Sequence, residues 1–472
     1  MDQSEIAEAL ELVHREALAY LEGLDKRPLI GSNPEGVLKP FRVGLPQKGS
    51  GSAAALQQLI DGVDATVATA GPRCFHFVIG GATPASLAAD WWASTLDQLA
   101  YTWLISPLSV ELELISLEWL KDLLRLPHRL SGVFTTGATM ANFVGLAAAR
   151  QWWGEQQGVD VSQHGLSGLP PVPVLSSGHI HASATKVCSM LGIGRGQVRR
   201  FAQDALGTLD LVGLKQALEA LDGQPVILIA NAGEVNAGAF DPIQQMADLA
   251  EKYNAWLHVD GAFGLFAQVS ERTRHLTRGV DRADSITVDG HKWLNVPYDC
   301  GFALVRDHQL LAKAFAYTAA YLPPADDPRP TIGALSPEGS RRARSFSVWA
   351  SLRAYGKDGV REMIEDNLDL AQLLAEVVDQ ASDLERLADV SLNIVCFRYN
   401  PGGLSEVQLN QLNQQLGEAV LADGRVYVGT TDFGGKIAFR PAISNWRTRQ
   451  EDVELLTEVV SELGASFSDS EE

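Results

Sequence analysis

Short apolar runs alternate with longer amphipathic stretches through the middle of the chain. Six runs rich in β-branched and apolar residues follow one another over residues 132–305, namely GVFTT, PVPVLSS, PVILIAN, AWLHVDG, SITVDG and CGFALV. Stretches with helical spacing of apolar positions, such as LDLVGLKQALEAL and PIQQMADLAEKY, lie between some of these runs. This alternation is typical of βαβ units, so the pattern predicts an α/β fold with a mainly parallel sheet.

The two ends of the chain have different patterns. Residues 1–75 predict helices that are broken by a connector rich in proline and glycine, and we expect this N-terminal helical extension to pack on something else, such as a partner subunit. Beyond about residue 345, helical stretches join a few strand-like runs, SLNIVCFRYN, GRVYVGTT and KIAFRPAI. We therefore expect a large α/β domain over 76–345 and a small C-terminal α+β domain over 346–472.

Composition narrows the classes of partner. The chain has 472 residues and a formal net charge of −20, which argues against nucleic acid or an anionic membrane as a partner, because either needs a basic surface. Its four cysteines have no CxxC or metal-finger spacing, as expected of a reduced intracellular protein. The first residues lack the pattern of a signal peptide, and no apolar run approaches the ~20 residues of a membrane helix. We expect a cytoplasmic protein.

One candidate site lies where a predicted strand gives way to a helix. In TTGATMANFVGLAAAR, residues 135–150, small residues precede an alanine-rich helical stretch. The free N–H groups and the dipole of such a helix start favour a phosphate. Gly137 and Ala138 allow close approach of the backbone, and the Thr139 hydroxyl can donate a hydrogen bond. The alternative is an ordinary strand-to-helix turn.

Two further motifs carry polar side chains next to apolar runs. Asp260 ends AWLHVD, where a carboxylate needs a positive partner such as a protonated ring nitrogen; the alternative is a cap of the next turn. His179 and His181 in SSGHIHASATKV have no third ligand at a metal-binding spacing, so we expect no metal. A histidine lying flat on a cofactor ring is the functional interpretation, and a loop histidine without a role is the alternative.

Lys292 lies in SITVDGHKWLN, at the end of an apolar run. It is either a surface lysine at a strand end or a desolvated amine, and desolvation lowers the pKa of an amine and makes it a nucleophile toward an aldehyde. Each motif alone is weak evidence. A phosphate turn, a ring histidine, a carboxylate for a ring nitrogen and a lysine, each near a strand end, form the set that pyridoxal 5'-phosphate requires.

In these motifs the chain resembles the group II pyridoxal-phosphate decarboxylases, the family of aromatic-L-amino-acid, histidine and glutamate decarboxylases. TTGATMAN resembles the family's phosphate segment, IHASATKV its AHxSxxKA, WLHVDGAFG its LHVDAAYGG, and DGHKW its (N/D)xHKW. The run RRARSFSVWASLRAYGKDG, residues 341–359, also matches the family. The resemblance covers nearly the whole chain in motif order.

The resemblance implies a PLP-dependent transferase-like fold of type I, whose large domain has a mainly parallel sheet of the seven-stranded type. It also implies a homodimer with sites at its interface, and roles for particular residues. Ala138 and Thr139 would bind the phosphate, with Asp289 and His291 in supporting roles on the same side. His181 would stack on the ring, Asp260 would pair with the pyridine nitrogen, and Ala262 would lie under the ring. Lys292 would form the covalent bond to the cofactor aldehyde. Tyr321, in AAYLPP, resembles the family tyrosine that returns a proton after CO₂ leaves. The alternative is a core or interface tyrosine.

One segment departs from the family pattern. ANAGEVNAGAFDPI, residues 230–243, carries Asn231, Glu234 and Val235 where the family has threonines, and Asn231 or Asn236 is the candidate replacement for a missing hydroxyl. PRCFHFVIGGATPASLAAD, residues 72–90, resembles the substrate-side segment of the family, and its His76 and Phe77 are candidates for substrate contact. No basic residue can be assigned from the sequence to bind the acidic side chain of a glutamate- or aspartate-type substrate. We therefore expect the substrate to be an aliphatic or aromatic L-amino acid.

The expected reaction is decarboxylation of an L-amino acid to its amine and CO₂, with Lys292, Tyr321 and His181 as catalytic residues. One alternative keeps the cofactor but changes the outcome, as in an aldehyde synthase, a transaminase or another C–C lyase. Tyr321 argues against the synthase, because related aldehyde synthases have phenylalanine there. Another alternative is a non-catalytic homologue, against which the intact Lys292, Asp260 and His181 argue.

Overall fold

A computed structural model describes residues 3–317, 319–320, 322–324 and 327–468 of the chain. Tyr321 lies outside the described residues. The helices of this part of the chain are α1 Gln3–Glu22, α2 Pro34–Leu38, α3 Ser52–Asp61, α4 Pro84–Leu96, α5 Pro107–Leu123, α6 Ala138–Gln156, α7 Val161–His164, α8 Ala182–Met190, α9 Leu211–Ala220, α10 Ile243–Lys252, α11 His308–Phe315, α12 Ser345–Gln380, α13 Glu406–Asp423 and α14 Gln450–Ser468. Gly356 breaks the regular geometry of α12 with a φ of 63°.

Local chemistry sets several helix starts. Proline occupies the start of α4 and α5, where its missing N–H costs no helical hydrogen bond. The Asp210 side chain accepts a hydrogen bond from the Gly213 N–H at the start of α9. Ser405 and Gln408 form a reciprocal capping box at the start of α13. These caps satisfy N–H groups that a helix leaves unpaired.

A seven-stranded sheet forms the centre of the larger part of the molecule. Its strands are β1 Ser131–Thr135, β2 Val174–Ser177, β3 Val198–Phe201, β4 Val226–Asn231, β5 Ala255–Asp260, β6 Ser285–Asp289 and β7 Gly301–Val305. The order across the sheet is β1-β7-β6-β5-β4-β2-β3, and β7 alone among these strands runs opposite to the other six. The mainly parallel sheet predicted from the sequence is confirmed.

Helices cover both faces of this sheet. Every residue of β4, β6 and β7 is buried, as the faces of a parallel sheet require. Successive residues of β4 point to opposite sides, with Leu228 and Ala230 in one apolar cluster and Ile227 and Ile229 in the other. Helix α6 packs against β6 and β7, while α10 packs against β4 and β5.

A second, antiparallel sheet follows in the C-terminal part of the chain. Its strands are β8 Leu384–Arg386, β9 Phe397–Tyr399, β10 Thr430–Phe433 and β11 Lys436–Phe439, in the order β10-β11-β9-β8. Its apolar cluster includes residues of α12, α13 and α14. The predicted small α+β domain is confirmed, although the run GRVYVGTT contributes only its last two residues to β10.

Candidate active site

Four strands of the large sheet end at one cavity. Strands β2, β4, β5 and β6 are parallel, and ligands of open α/β sheets bind beyond the carboxyl ends of such strands. The cavity has a volume of about 360 Å³. It is lined by Thr136, Gly137, Ala138, Thr139, Met140, His179, His181, Ser183, Asn231, Gly233, Glu234, Val235, Asp260, Ala262, Phe263, Asp289, His291, Lys292 and Tyr298. Apart from Tyr321, every predicted catalytic and cofactor-binding residue lines it.

Lys292 lies directly beyond β6 in an ion pair. Its Nζ is 2.9 Å from Oδ2 of Asp289, the last residue of β6, and the Asp289 side chain is only 3% exposed. The other oxygen of Asp289 accepts a hydrogen bond from the Ala138 N–H and lies 3.4 Å from Nε2 of His291. One buried carboxylate therefore joins the lysine to the start of helix α6.

The start of α6 has the form of an anion cradle. A Cβ atom added to Gly137 would lie 2.9 Å from His291 Cε1, so only glycine lets these elements approach so closely. Thr139 and Met140 of the first turn line the same cavity beside Ala138, whose N–H already donates to Asp289. A helix start with a threonine hydroxyl beside it fits the phosphate of pyridoxal phosphate.

Burial lowers the pKa of His291. Its Nδ1 accepts a hydrogen bond from the Cys300 N–H at 3.1 Å, which requires that this nitrogen carry no proton. Its ring stacks on the ring of Tyr298, with the centroids 4.0 Å apart. His291 is therefore held as a neutral ring whose Nε2 faces Asp289.

Asp260 ends a chain of buried polar groups. Its Oδ2 accepts a hydrogen bond from Asn142 Nδ2 at 2.9 Å, and Asn142 Oδ1 lies 2.7 Å from His258 Nε2. The Ser285 hydroxyl lies 2.7 Å from His258 Nδ1 and accepts from the Trp256 indole at 2.8 Å. Burial lowers the pKa of His258 to about 4, so the ring is neutral and its Nε2–H donates to Asn142.

This arrangement leaves Asp260 suited to a cationic ligand. The amide of Asn142 is oriented by His258 so that its N–H donates to the carboxylate. Within the described part of the chain, no cationic side chain comes within ion-pair distance of Asp260, although the residue is only 6% exposed. A buried carboxylate that has no cationic partner fits a protonated pyridine nitrogen. The sequence interpretation missed Asn142 and His258, whose only signal was a polar residue within an otherwise apolar helix or strand.

His181 caps helix α8 at the mouth of the cavity. Its Nδ1 accepts from the Ser183 N–H at 3.2 Å and lies 2.7 Å from the Ser183 hydroxyl. Desolvation lowers the pKa of His181, although part of the residue remains exposed. The neutral ring therefore carries its proton on Nε2. His179 also lines the cavity, and the described residues contain no group of three or more potential metal ligands.

The segment that departs from the family pattern forms another wall. Asn231 Nδ2 donates to Asp241 Oδ2 at 2.8 Å and to Ser177 Oγ at 3.2 Å, and its side chain borders the cavity. The Glu234 carboxylate accepts from the N–H groups of Asn236 and Ala237 and thus caps its own loop. Asn236 accepts a hydrogen bond from Thr431 in the small domain. Of the two asparagines considered, only Asn231 lines the cavity.

Sequence analysis also missed Arg440, which reaches this wall from the small domain. Its Nη1 donates to Val235 O at 3.2 Å and to Phe77 O at 3.3 Å. None of the described carboxylates forms an ion pair with it. The positive charge of Arg440 adds to desolvation in lowering the pKa of His76. Phe77 adopts a φ of 58° and its side chain is exposed beside this arginine. The only sequence signal for Arg440 was a cation within the run KIAFRPAI.

Comparison with known proteins identifies the family. The "Pyridoxal-dependent decarboxylase conserved domain" matches residues 34–400. The aromatic-L-amino-acid decarboxylase of Bacillus atrophaeus is 31% identical over 389 residues, which cover 81% of this chain and 79% of that protein. The acidic amino acid decarboxylase GADL1 of Mus musculus is 27% identical over 475 residues, which cover 97% of this chain and 86% of that protein.

Solved structures agree with the sequence relatives. The crystal structure of Oryza sativa TDC with PLP and tryptamine matches with a TM-score of 0.91 and 25% identity, covering 99% of both chains. No helix among the described residues is long and apolar enough to span a membrane. The chain thus belongs to the pyridoxal-dependent decarboxylases, fold type I enzymes that use pyridoxal phosphate to convert an amino acid into an amine.

Proposed function

We propose that the cavity at Lys292 is the decarboxylation site of this enzyme. The observation that supports this most strongly is that Asp260 ends β5, Lys292 follows the adjacent parallel strand β6, and both line one cavity. One of these side chains is an amine paired with a buried carboxylate, and the other is a buried carboxylate without a cation. That combination suits a cofactor with an aldehyde at one position and a ring nitrogen at another.

The proposed cofactor contacts follow the cavity walls. Ala138, Thr139 and the start of α6 would hold the phosphate, with Asp289 and His291 beside it. Asp260 would pair with the pyridine nitrogen, Ala262 and His181 would contact the ring, and Lys292 would hold the aldehyde carbon. When bound, pyridoxal phosphate supplies a ring that accepts the electron pair left on the substrate as CO₂ departs.

The protein residues supply orientation and protons. Asn142 and His258 hold the Asp260 carboxylate in place, so that its negative charge keeps the ring nitrogen protonated. Asp289 pairs with the Lys292 ammonium before the lysine reacts, and this places Nζ in the cavity. We assign Tyr321 as the acid that returns a proton to the substrate α-carbon, with the neutral His181 Nε2–H assisting.

We propose an aromatic or aliphatic L-amino acid as the substrate. Phe263 and Tyr298 contribute rings to the cavity. The similarity to an aromatic-L-amino-acid decarboxylase supports this class. An acidic amino acid is the second candidate, because Arg440 has no carboxylate partner in the described structure and one relative is an acidic amino acid decarboxylase.

Product analysis by mass spectrometry tests these proposals. The enzyme is incubated with pyridoxal phosphate and each common L-amino acid, and amine, aldehyde and keto acid are measured separately. We expect amine from one or two aromatic or aliphatic substrates, and none from a Lys292→Ala variant. Lys215→Ala, which removes an exposed lysine of α9, serves as the control. Multiple turnovers by Lys292→Ala would refute the site, while amine from glutamate or aspartate alone would favour the acidic class.

We also propose a cytoplasmic homodimer whose N-terminal extension, residues 1–75, packs on the partner. Helices α1 and α3 contact each other, yet neither contains a buried residue. Leu104, Ile105 and Leu108 are exposed apolar side chains near the start of α5, and exposed apolar surface of this kind marks an interface. Light scattering after size exclusion should give twice the chain mass of 50.9 kDa, and a monomer would contradict the proposal.

We retain 76–345 and 346–472 as the proposed domain bounds.

A further inference from the structure

A second, larger cavity lies behind the segment that carries Lys292. This rear groove has a volume of about 680 Å³, compared with about 360 Å³ for the cavity at Lys292. Its walls are the start of α4, residues of α12 on both sides of the break at Gly356, and the segment that leads into α14. The lining residues are Thr83, Pro84, Ser351, Tyr355, Gly359, Val360, Glu362, Met363, Asp366, Asn367, Asp369, Leu370, Leu373, Trp446, Thr448, Arg449 and Gln450. A cavity of this size matches a small organic molecule.

One wall of the rear groove is acidic. Glu362, Asp366 and Asp369 lie on one face of α12, because residues three and four apart are neighbours on a helix. Asp369 pairs with Arg272 at 2.6 Å, whereas Glu362 and Asp366 have no ion-pair partner in the described structure. Arg449 is the only cation of the lining, and its Nη1 donates to the carbonyls of Trp446 and Thr448. The lining therefore carries a net negative charge.

The rest of the rear groove is apolar or aromatic. Tyr355, Met363, Leu370 and Leu373 contribute side chains that are at least partly accessible. Trp446 adds an indole, one face of which is covered by the guanidinium of Arg447 at 4.4 Å from the ring centroid. Apolar surface beside unpaired carboxylates complements a molecule with an apolar body and a cationic end.

The walls of the rear groove are bonded to the turn that follows Lys292. The Asn367 side chain accepts a hydrogen bond from the Trp293 indole at 2.9 Å. The N–H of Trp446 donates to Asn295 Oδ1 at 3.0 Å, and the N–H of Thr83 donates to Asn295 O at 2.9 Å. Asn295 and Asn367 are buried. A ligand that shifts α12 against the segment before α14 therefore acts on the backbone next to the lysine.

We propose that the rear groove is a regulatory site for a primary amine with an aromatic or aliphatic body. Glu362 and Asp366 bind the ammonium group, and the apolar wall holds the body. Decarboxylation produces molecules of this class, so the site lets the accumulated product restrain the enzyme. The identification of the ligand as the product depends on the proposed substrate class, whereas the binding of an amine does not.

Calorimetric titration of the holoenzyme tests the binding. The probe is 2-phenylethylamine, and 2-phenylethanol is its neutral counterpart. We expect the wild type to bind one more 2-phenylethylamine per chain than a Glu362→Gln, Asp366→Gln variant, or to bind it there about tenfold more tightly. A Glu376→Gln, Glu458→Gln variant removes two exposed carboxylates elsewhere on α12 and α14 and should behave as the wild type.

Steady-state kinetics test the coupling. In the wild type, 2-phenylethylamine should lower kcat even at saturating substrate, and the Glu362→Gln, Asp366→Gln variant should lose this effect while keeping its activity without amine. Unchanged amine binding by that variant, or equal binding of 2-phenylethanol, would overturn the site, and an unaltered kcat would overturn the regulation. Failure of decarboxylation itself would appear as missing product and leave the calorimetric result intact.

Discussion

Asn142 offers a sharp test of how the Asp260 carboxylate is held. Replacing Asn142 by leucine keeps the branched shape and the number of heavy atoms of the side chain but removes the amide nitrogen that lies 2.9 Å from Asp260 Oδ2. It also removes the amide oxygen that lies 2.7 Å from His258 Nε2. His258 is fully buried. The change therefore releases the carboxylate and leaves a buried imidazole N–H without a partner.

The size of the effect follows from the kind of hydrogen bond lost. A hydrogen bond to a charged group contributes about 1.5–3 kcal/mol, which corresponds to about a 10- to 150-fold change in an equilibrium constant. We expect Asn142→Leu to weaken binding of pyridoxal phosphate by this factor. The unpaired His258 N–H costs about 1–3 kcal/mol more, so the thermal midpoint should fall as well.

The assay is titration of the apoprotein with pyridoxal phosphate, followed by the absorbance of the bound cofactor. Gln151→Leu is the matched control, since Gln151 is a buried amide of the same helix that donates to Asp160 Oδ1 at 3.0 Å, away from the cavity. That variant should lower the thermal midpoint and leave the dissociation constant of the cofactor unchanged. Equal cofactor affinity in wild type and Asn142→Leu would refute the role assigned to the Asp260 chain.

Three further predictions concern proton transfer, pH and the buried core. Tyr321→Phe should divert the product from amine toward aldehyde in mass spectrometry, and an unaltered amine yield would remove Tyr321 from catalysis. Burial lowers the pKa of His258 from 6.5 to about 4, so between these pH values the unfolded chain binds a proton at His258 and the folded chain does not. The thermal midpoint should therefore be constant above pH 6.5 and fall as the pH drops toward 4. The fall should be weaker in His258→Phe. Glu113→Gln should lower the free energy of unfolding by about 3–5 kcal/mol, because it leaves Arg341 as an unpaired buried charge. A Glu113→Leu, Arg341→Met variant should unfold at a higher denaturant concentration than Glu113→Gln. The opposite order would contradict this account.

The central strands could be predicted from the sequence because burial on both faces demands continuous apolar runs. Strand β4, VILIAN, is fully buried and had the strongest pattern of this kind. Strand β3, VRRF, was not predicted, since it lies at the edge of the sheet and exposes its two arginines. The short β8, LER, was missed for a similar reason. The edge strand β1 was predicted because its last three residues are buried, whereas β3 and β8 have no apolar periodicity and hydrophobic patterning does not reveal them.

The site was predictable where function concentrates chemistry into short motifs. Lys292 and Asp260 follow apolar runs directly, and their proximity follows from adjacent parallel strands. The bond between Asn142 and His258 joins residues 116 positions apart, and no local pattern indicates which buried amide meets which ring. Arg440 comes from the small domain, whose position against the large sheet is set by tertiary packing. Sequence patterns therefore gave the reactive groups but not the residues that orient them.

The reversed strand β7 has a consequence for the lysine itself. Asp289 at the end of β6 pairs with Gly301 at the start of β7, so the connection that carries Lys292 leaves the sheet and re-enters it at the same edge. Within that connection the N–H groups of Gly290 and His291 both donate to the Cys300 carbonyl, at 2.9 and 3.1 Å. A short loop closed at its base has little conformational entropy left to lose. Lys292 therefore lies on a loop that is already closed at its base. Ordering this loop for the reaction requires little further loss of conformational entropy.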